Sequence, residues 1–162
     1  MRKLFALCLA VLLAGCAGGF VHRFEVPPGT PREAVIARLG TPTRAVPLAN
    51  GERLQYSLQP FGRATWMVDF DASGKALGSR QVLTEANFHR IVGGKWTLAD
   101  VEREFGPPAT VDRVGSWNGP VLTWRWYDSV GAEMLYHVYL DPQGVVQRAH
   151  PTMELFSVRE RR

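Results

Sequence analysis

Phe70-Asp71-Ala72-Ser73-Gly74 is followed seventy positions later by Leu140-Asp141-Pro142-Gln143-Gly144. In each case an apolar residue closes an alternating stretch and leads into an aspartate turn that ends in glycine, which is hairpin chemistry. Working outward, Leu39-Gly40-Thr41-Pro42 precedes Phe105-Gly106-Pro107-Pro108 by 66 positions, and Thr30 precedes Thr97 by 67. Val21-His22-Arg23-Phe24 likewise precedes Phe88-His89-Arg90-Ile91 by 67. Matches that keep chain order while their offsets drift by a few residues are what copying followed by small loop insertions leaves behind. The body therefore reads as a tandem repeat, with a first unit over 20–86 and a second over 87–162.

Each unit carries helix signals followed by strand signals. Thr30-Pro31-Arg32-Glu33 has the form of a capping box with proline at the first helical position. Val35, Ile36 and Leu39 make a one-sided apolar stripe, and Gly40 with Pro42 stops the helix. The second unit repeats this with Thr97, Asp100, Val101, Phe105 and the stop Gly106-Pro107-Pro108, and 84–91 reads as a further short helix. Alternation then predicts strands over 43–48, 53–58, 64–70 and 76–82, and over 109–114, 121–127, 133–140 and 145–149. Leu54, Tyr56, Trp66, Val68 and Phe70 fall on one side of the first sheet; Trp124, Trp126, Tyr136, Val138 and Leu140 fall on the matching side of the second. The expected fold class is α+β: two tandem units, each of short helices followed by an antiparallel hairpin sheet packed on them.

The first residues have a separate logic. Met1-Arg2-Lys3 is positively charged, Leu4 to Leu13 is apolar, and Leu13-Ala14-Gly15-Cys16 follows. Ten apolar residues make a helix of roughly 15 Å, about half the hydrocarbon thickness of a bilayer, so this is an export signal over 1–15 and not a span. Its last four residues resemble the bacterial lipoprotein processing box. The resemblance implies cleavage before Cys16, a diacylglyceryl thioether on its sulfur and an acyl chain, such as palmitate, on the new amino terminus. Two or more chains at ~0.8 kcal/mol per buried methylene anchor a protein stably. Residues 16–29 become the lipidated start and tether. Ala17 stands where an aspartate would resemble an inner-membrane retention signal, so an outer-membrane, periplasm-facing location is expected.

The run from Gly29 to Pro42, with its aromatic strand and hairpin, resembles the BamE/SmpA/OmlA family of small outer-membrane lipoproteins, and the tandem arrangement is similar to that of the β-lactamase inhibitory protein. The resemblance implies a non-catalytic binding or scaffold protein in envelope assembly or integrity, with an envelope protein or outer-membrane component as partner. A periplasmic hydrolase inhibitor is the alternative it suggests.

Composition narrows the classes further. With 46% apolar and 21% charged residues the chain is not disordered. Its formal charge of +4 includes Arg2 and Lys3 of the signal, and the remaining basic residues are interspersed with acids, which excludes a nucleic-acid footprint. Both cysteines, Cys8 and Cys16, lie in the first sixteen residues, so the body holds neither a disulfide nor a cysteine metal site. No cofactor is expected beyond the lipid on Cys16. No phosphate loop or nucleophile elbow occurs, and an envelope enzyme built around His137 and Asp69 is the remaining catalytic reading. His22 and His89 sit at equivalent positions and read as structural, and His150 before Pro151 reads as solvated tail.

The strand residues alternating with the core set define the candidate binding face: Gln55, Met67 and Asp69 in the first unit, Arg125, Tyr127, His137 and Tyr139 in the second. Aromatic and arginine side chains dominate binding hot spots, and four of the five tryptophans also fall in the second unit.

Overall fold

A computed structural model describes residues 22–155. After a short 3-10 turn at His22–Phe24, the first half contains α1 (Arg32–Leu39), β1 (Arg44–Leu48), β2 (Gly51–Ser57), β3 (Thr65–Phe70) and β4 (Ala76–Gln81). The second half contains α2 (Glu85–Phe88), α3 (Leu98–Phe105), β5 (Thr110–Asp112), β6 (Val121–Tyr127), β7 (Glu133–Leu140) and β8 (Val146–Met153). The strands form two antiparallel sheets in simple sequential order, β1-β2-β3-β4 and β5-β6-β7-β8.

The tight turns follow from the sequence. Asp71 Oδ1 accepts the N–H groups of Ser73 and Lys75 at 2.8 and 3.0 Å, and Asp141 Oδ1 accepts those of Gln143 and Val145 at 3.0 and 2.9 Å. Each aspartate thus replaces the backbone partners that the turn removes. Gly51, at φ +136°, lies so close to β3 that a Cβ would come within 1.9 Å of the Phe70 carbonyl oxygen. Only glycine fits that approach.

The helices are capped differently. Thr97 and Asp100 form a reciprocal capping box on α3. At α1 the expected box is absent: Pro31 is the N-cap residue, and the Thr30 hydroxyl donates to the Pro27 carbonyl at 2.7 Å. Both helices stop at glycine, and the stop is tied down alike. Tyr56 Oη donates to the Gly40 carbonyl at 3.2 Å, and Trp124 Nε1 to the Gly106 carbonyl at 3.3 Å.

Two apolar clusters result. Val35 and Leu39 of α1 join Leu54, Tyr56, Val68 and Phe70. Phe88, Val101 and Phe105 join Trp124, Trp126, Tyr136, Val138 and Leu140. Met67, from the opposite face of the first sheet, belongs to this second cluster. The expected α+β class is thereby corrected. The molecule is β-rich, two four-stranded sheets with few short helices. A helix of two turns supplies a pair of buried side chains and is too short to form a layer under hairpins; the extensive contacts run strand to strand.

Candidate functional site

The candidate site is the outer face of the second sheet, and its counterpart on the first sheet shows why it is open. Register relates the two faces. Arg44 pairs with Gln55 and Gln55 with Met67; Thr110 pairs with Thr123 and Thr123 with His137. Thr123 therefore stands where Gln55 stands, and His137 where Met67 stands.

On the first sheet this face is closed by the carboxyl end of α3. Gln55 Nε2 donates to the carbonyls of Glu102 and Arg103 at 3.0 and 3.1 Å, at the helix end where carbonyls run short of intrahelical partners, although Glu102 also accepts the Gly106 N–H at 2.9 Å. Arg53 donates to the Arg103 carbonyl at 3.0 Å, lies 3.2 Å from Glu104 and is held by Asp69 at 2.6 Å. Arg80 reaches the other Asp69 oxygen at 2.8 Å. Burial works to raise the Asp69 carboxyl, but the hydrogen bonds and charges of Arg53 and Arg80 outweigh it and hold it below the usual carboxylate range. Gln55 and Met67 are both fully buried. The first-unit part of the expected binding face is corrected accordingly: Gln55, Met67 and the engaged Asp69 form the junction between the halves and present no open surface.

On the second sheet no helix end takes this place among the described residues: Thr123 is itself buried, while Leu135 and His137 are half-buried. A groove of about 450 Å³ runs between the Pro60-Phe61 loop and β5, floored by Thr123, Leu135 and His137. Its volume and its mixture of apolar walls with a few convergent polar groups suit a binding site. Both His137 nitrogens are engaged, Nδ1 with Thr123 Oγ1 at 3.0 Å and Nε2 with Thr152 Oγ1 at 2.9 Å. Burial first, and then His150, lower the His137 pKa below the ordinary histidine value, with Asp112 acting in the opposite sense. His150 stacks on Tyr139 with centroids 5.3 Å apart, Arg148 lies 4.1 Å over the Tyr139 ring, and Trp117 meets its edge at 5.4 Å. This is a continuous strip of aromatic and cationic groups beside the groove.

Arg125 sits at the groove wall, but its guanidinium is committed to Glu154 at 2.7 Å and to the Pro60 carbonyl at 3.1 Å. Arg63 pairs with the same Glu154 and with Glu133 at 2.9 Å. Tyr127 points elsewhere, to a smaller apolar recess, with Arg63 5.4 Å over its ring. The structure thus brings Arg125, His137 and Tyr139 to one region and leaves Tyr127 apart. Sequence reasoning missed His150, which lies within β8; that strand runs on to Met153 because Pro151 is tolerated at a sheet edge. Cys16 and the signal segment lie outside the described residues.

Among the described residues no group of three or more His, Cys, Asp or Glu is placed to hold a metal, and no helix is long and apolar enough to cross a membrane. His137 and Asp69 lie on different sheets, each with its polar atoms already engaged.

No family model matches the sequence, and no curated protein matches it. A solved structure similar to it is a DUF4309 family protein, YjgB, from Bacillus subtilis, at 14% identity and a TM-score of 0.32, covering 77% of this chain and 79% of that one. The resemblance to the BamE/SmpA/OmlA family and to the β-lactamase inhibitory protein is overturned, since no family model matches the chain. Helix stops and aspartate hairpins are general local solutions, and they describe turns that many unrelated β-rich chains share.

Proposed function

We propose that the chain is a lipid-anchored outer-membrane protein, facing the periplasm, that binds an envelope partner in the groove of the second sheet and does so without catalysis. The observation that supports this is the inequality of two equivalent faces. The Gln55/Met67 face is closed by α3, whereas the Thr123/His137 face is an open groove bordered by stacked aromatic and cationic side chains. Apolar side chains with half-buried polar groups on an otherwise covered surface type are the usual marks of a place where another molecule sits.

Two measurements test the two parts of the reading. Growth with radiolabelled palmitate labels the wild-type chain and leaves Cys16→Ser unlabelled; an unlabelled wild type sinks the anchor. Crosslinking in intact cells yields an adduct with the wild type that Leu135→Lys loses while keeping its melting temperature. Adducts that survive this change would place the partner elsewhere.

A further inference from the structure

We propose that the end of the molecule formed by the β2–β3 and β6–β7 connections lies against a phospholipid bilayer, with its apolar tips seated among the headgroups. The lipid surface as occupant rests on the anchor in the reading above, and the apolar end itself does not.

Contacts between the halves bring these connections together. Arg63 meets Glu133 at 2.9 Å and lies over the Tyr127 ring, and Arg125 donates to the Pro60 carbonyl at 3.1 Å. The end of β8 joins them, since Met153 pairs with Met134 and the Glu154 N–H donates to the Glu133 carbonyl at 3.0 Å. Consecutive hairpins turn at alternate ends of a sheet, so the β1–β2, β3–β4 and β7–β8 turns lie away from this end. Those turns carry Asn50, Asp71, Lys75, Asp141 and Gln143.

The shared end is apolar instead. Phe61, Val130 and Leu155 are 93%, 85% and 81% exposed, the highest values among the large apolar side chains described. Tyr127 and Met153 are exposed beside them. Apolar residues scattered singly over a surface are ordinary, but here three segments distant in sequence converge. The charges between them are already matched within the chain. Glu133 and Glu154 are paired with Arg63 and Arg125, and Asp128 accepts the N–H groups of Val130 and Ala132 at 3.0 and 2.8 Å. Beyond Leu155 the sequence reads Phe156-Ser157-Val158-Arg159-Glu160-Arg161-Arg162, apolar and then basic, a composition that anionic headgroups attract.

The described chain also starts at this end. Phe24 lines an apolar recess with Leu58, Trp66 and Tyr127. His22 stands six positions after Cys16, a stretch that spans at most ~20 Å. An acyl chain on Cys16 therefore holds this end, and not the polar turns, close to the membrane. Phe61 is also a wall of the groove, so the groove opens at the level of the headgroups.

The test uses the full chain with Cys8→Ser and Cys16→Ser, which carries no thioether lipid, so its outcome is separate from that of palmitate labelling. A polarity-sensitive fluorophore is attached through Val130→Cys, through Leu155→Cys as a second position, or through Leu77→Cys, exposed on β4 beside the Lys75 turn, as the reference. With vesicles of phosphatidylethanolamine and phosphatidylglycerol, emission from position 130 shifts to the blue. Nitroxide-bearing lipid quenches it at least about threefold more strongly than emission from position 77. Adding Phe61→Asp and Leu155→Asp to the Val130→Cys chain lowers the quenching to the level at position 77 while the melting temperature is kept. Equal quenching at the two ends, or none at positions 130 and 155, overturns the proposal. A blue shift that appears without vesicles as the protein is concentrated makes the occupant a second copy and overturns it as well. Strong quenching at position 130 in a chain whose wild type takes up no palmitate removes the anchor and upholds the lipid-facing end.

Discussion

Gln59 and Arg125 are joined as two adjacent strands would be: the Gln59 side-chain oxygen accepts the Arg125 N–H at 3.2 Å, and its amide donates to the Arg125 carbonyl at 2.7 Å. β5 begins only at Thr110, opposite Thr123, too late to pair with this part of β6, so one side chain from the first half stands in for the missing strand residue. With the α3 junction, this makes the two halves dependent on each other.

Gln59→Ala leaves both Arg125 backbone groups without their protein partner. The expected loss is about 1–2 kcal/mol in urea unfolding, with a single transition retained. Two separate transitions in the wild type would show that the halves fold independently.

The Arg53–Asp69 pair is largely withdrawn from water, with side-chain exposures of 7% and 14%. Truncating one partner of such a pair strands the other, so Arg53→Ala should cost about 3 kcal/mol, although Arg80 still reaches Asp69. The pH dependence has a definite sign. Asp69 is held below its ordinary value of 3.8 in the folded chain, as Glu154 is below 4.5 by Arg125 and Arg63 against the raising effect of burial. The stability they confer is complete above those ordinary values and is lost as pH falls through the depressed ones. Asp69→Asn should flatten the acid limb of the stability profile, and an unchanged limb would count against the assignment.

His137 gives a second and separate slope. Its folded pKa lies below 6.5, so the unfolded chain takes up the proton first and stability declines as pH falls from about 6.5 through the folded value. His150, lowered by its own burial and by Arg148, acts in the same direction. The His137 ring resonances should titrate with a midpoint below 6.5, and His137→Gln should make the decline shallower. A midpoint above 6.5 would contradict the described burial.

Two glycines separate steric from conformational cost. At Gly51 a methyl group would meet the Phe70 carbonyl at 1.9 Å, a backbone clash that no side-chain movement relieves. Gly51→Ala should therefore cost well over about 2 kcal/mol. At Gly74, φ is +73° but nothing lies within 4 Å, so Gly74→Ala should cost only about 1–2 kcal/mol. Equal losses in thermal unfolding would show that the close approach at Gly51 does not govern its turn.

Reading residues in order was enough to locate what local chemistry decides. The aspartate turns at Asp71 and Asp141, the glycine stops at Gly40 and Gly106 and the spans of β6 and β7 all rest on interactions within a few residues or on period-two alternation. Alternation also separates Leu54 from Gln55 and Val138 from His137, because successive side chains must point to opposite sides of a strand. It does not say what lies on the second side. Gln55 and Arg53 look like surface residues in the chain, yet they are buried where carbonyls 47 to 50 positions away accept from the Gln55 amide nitrogen and the Arg53 guanidinium, the Gln55 side-chain oxygen alone being left without a partner. Thr123 and His137, their neighbours' equivalents one sheet later, stay beside an open groove because no further helix follows them among the described residues. Polar side chains can be buried only where distant groups replace water, and that replacement is settled by how the sheets and α3 come together, not by any pattern along the strand.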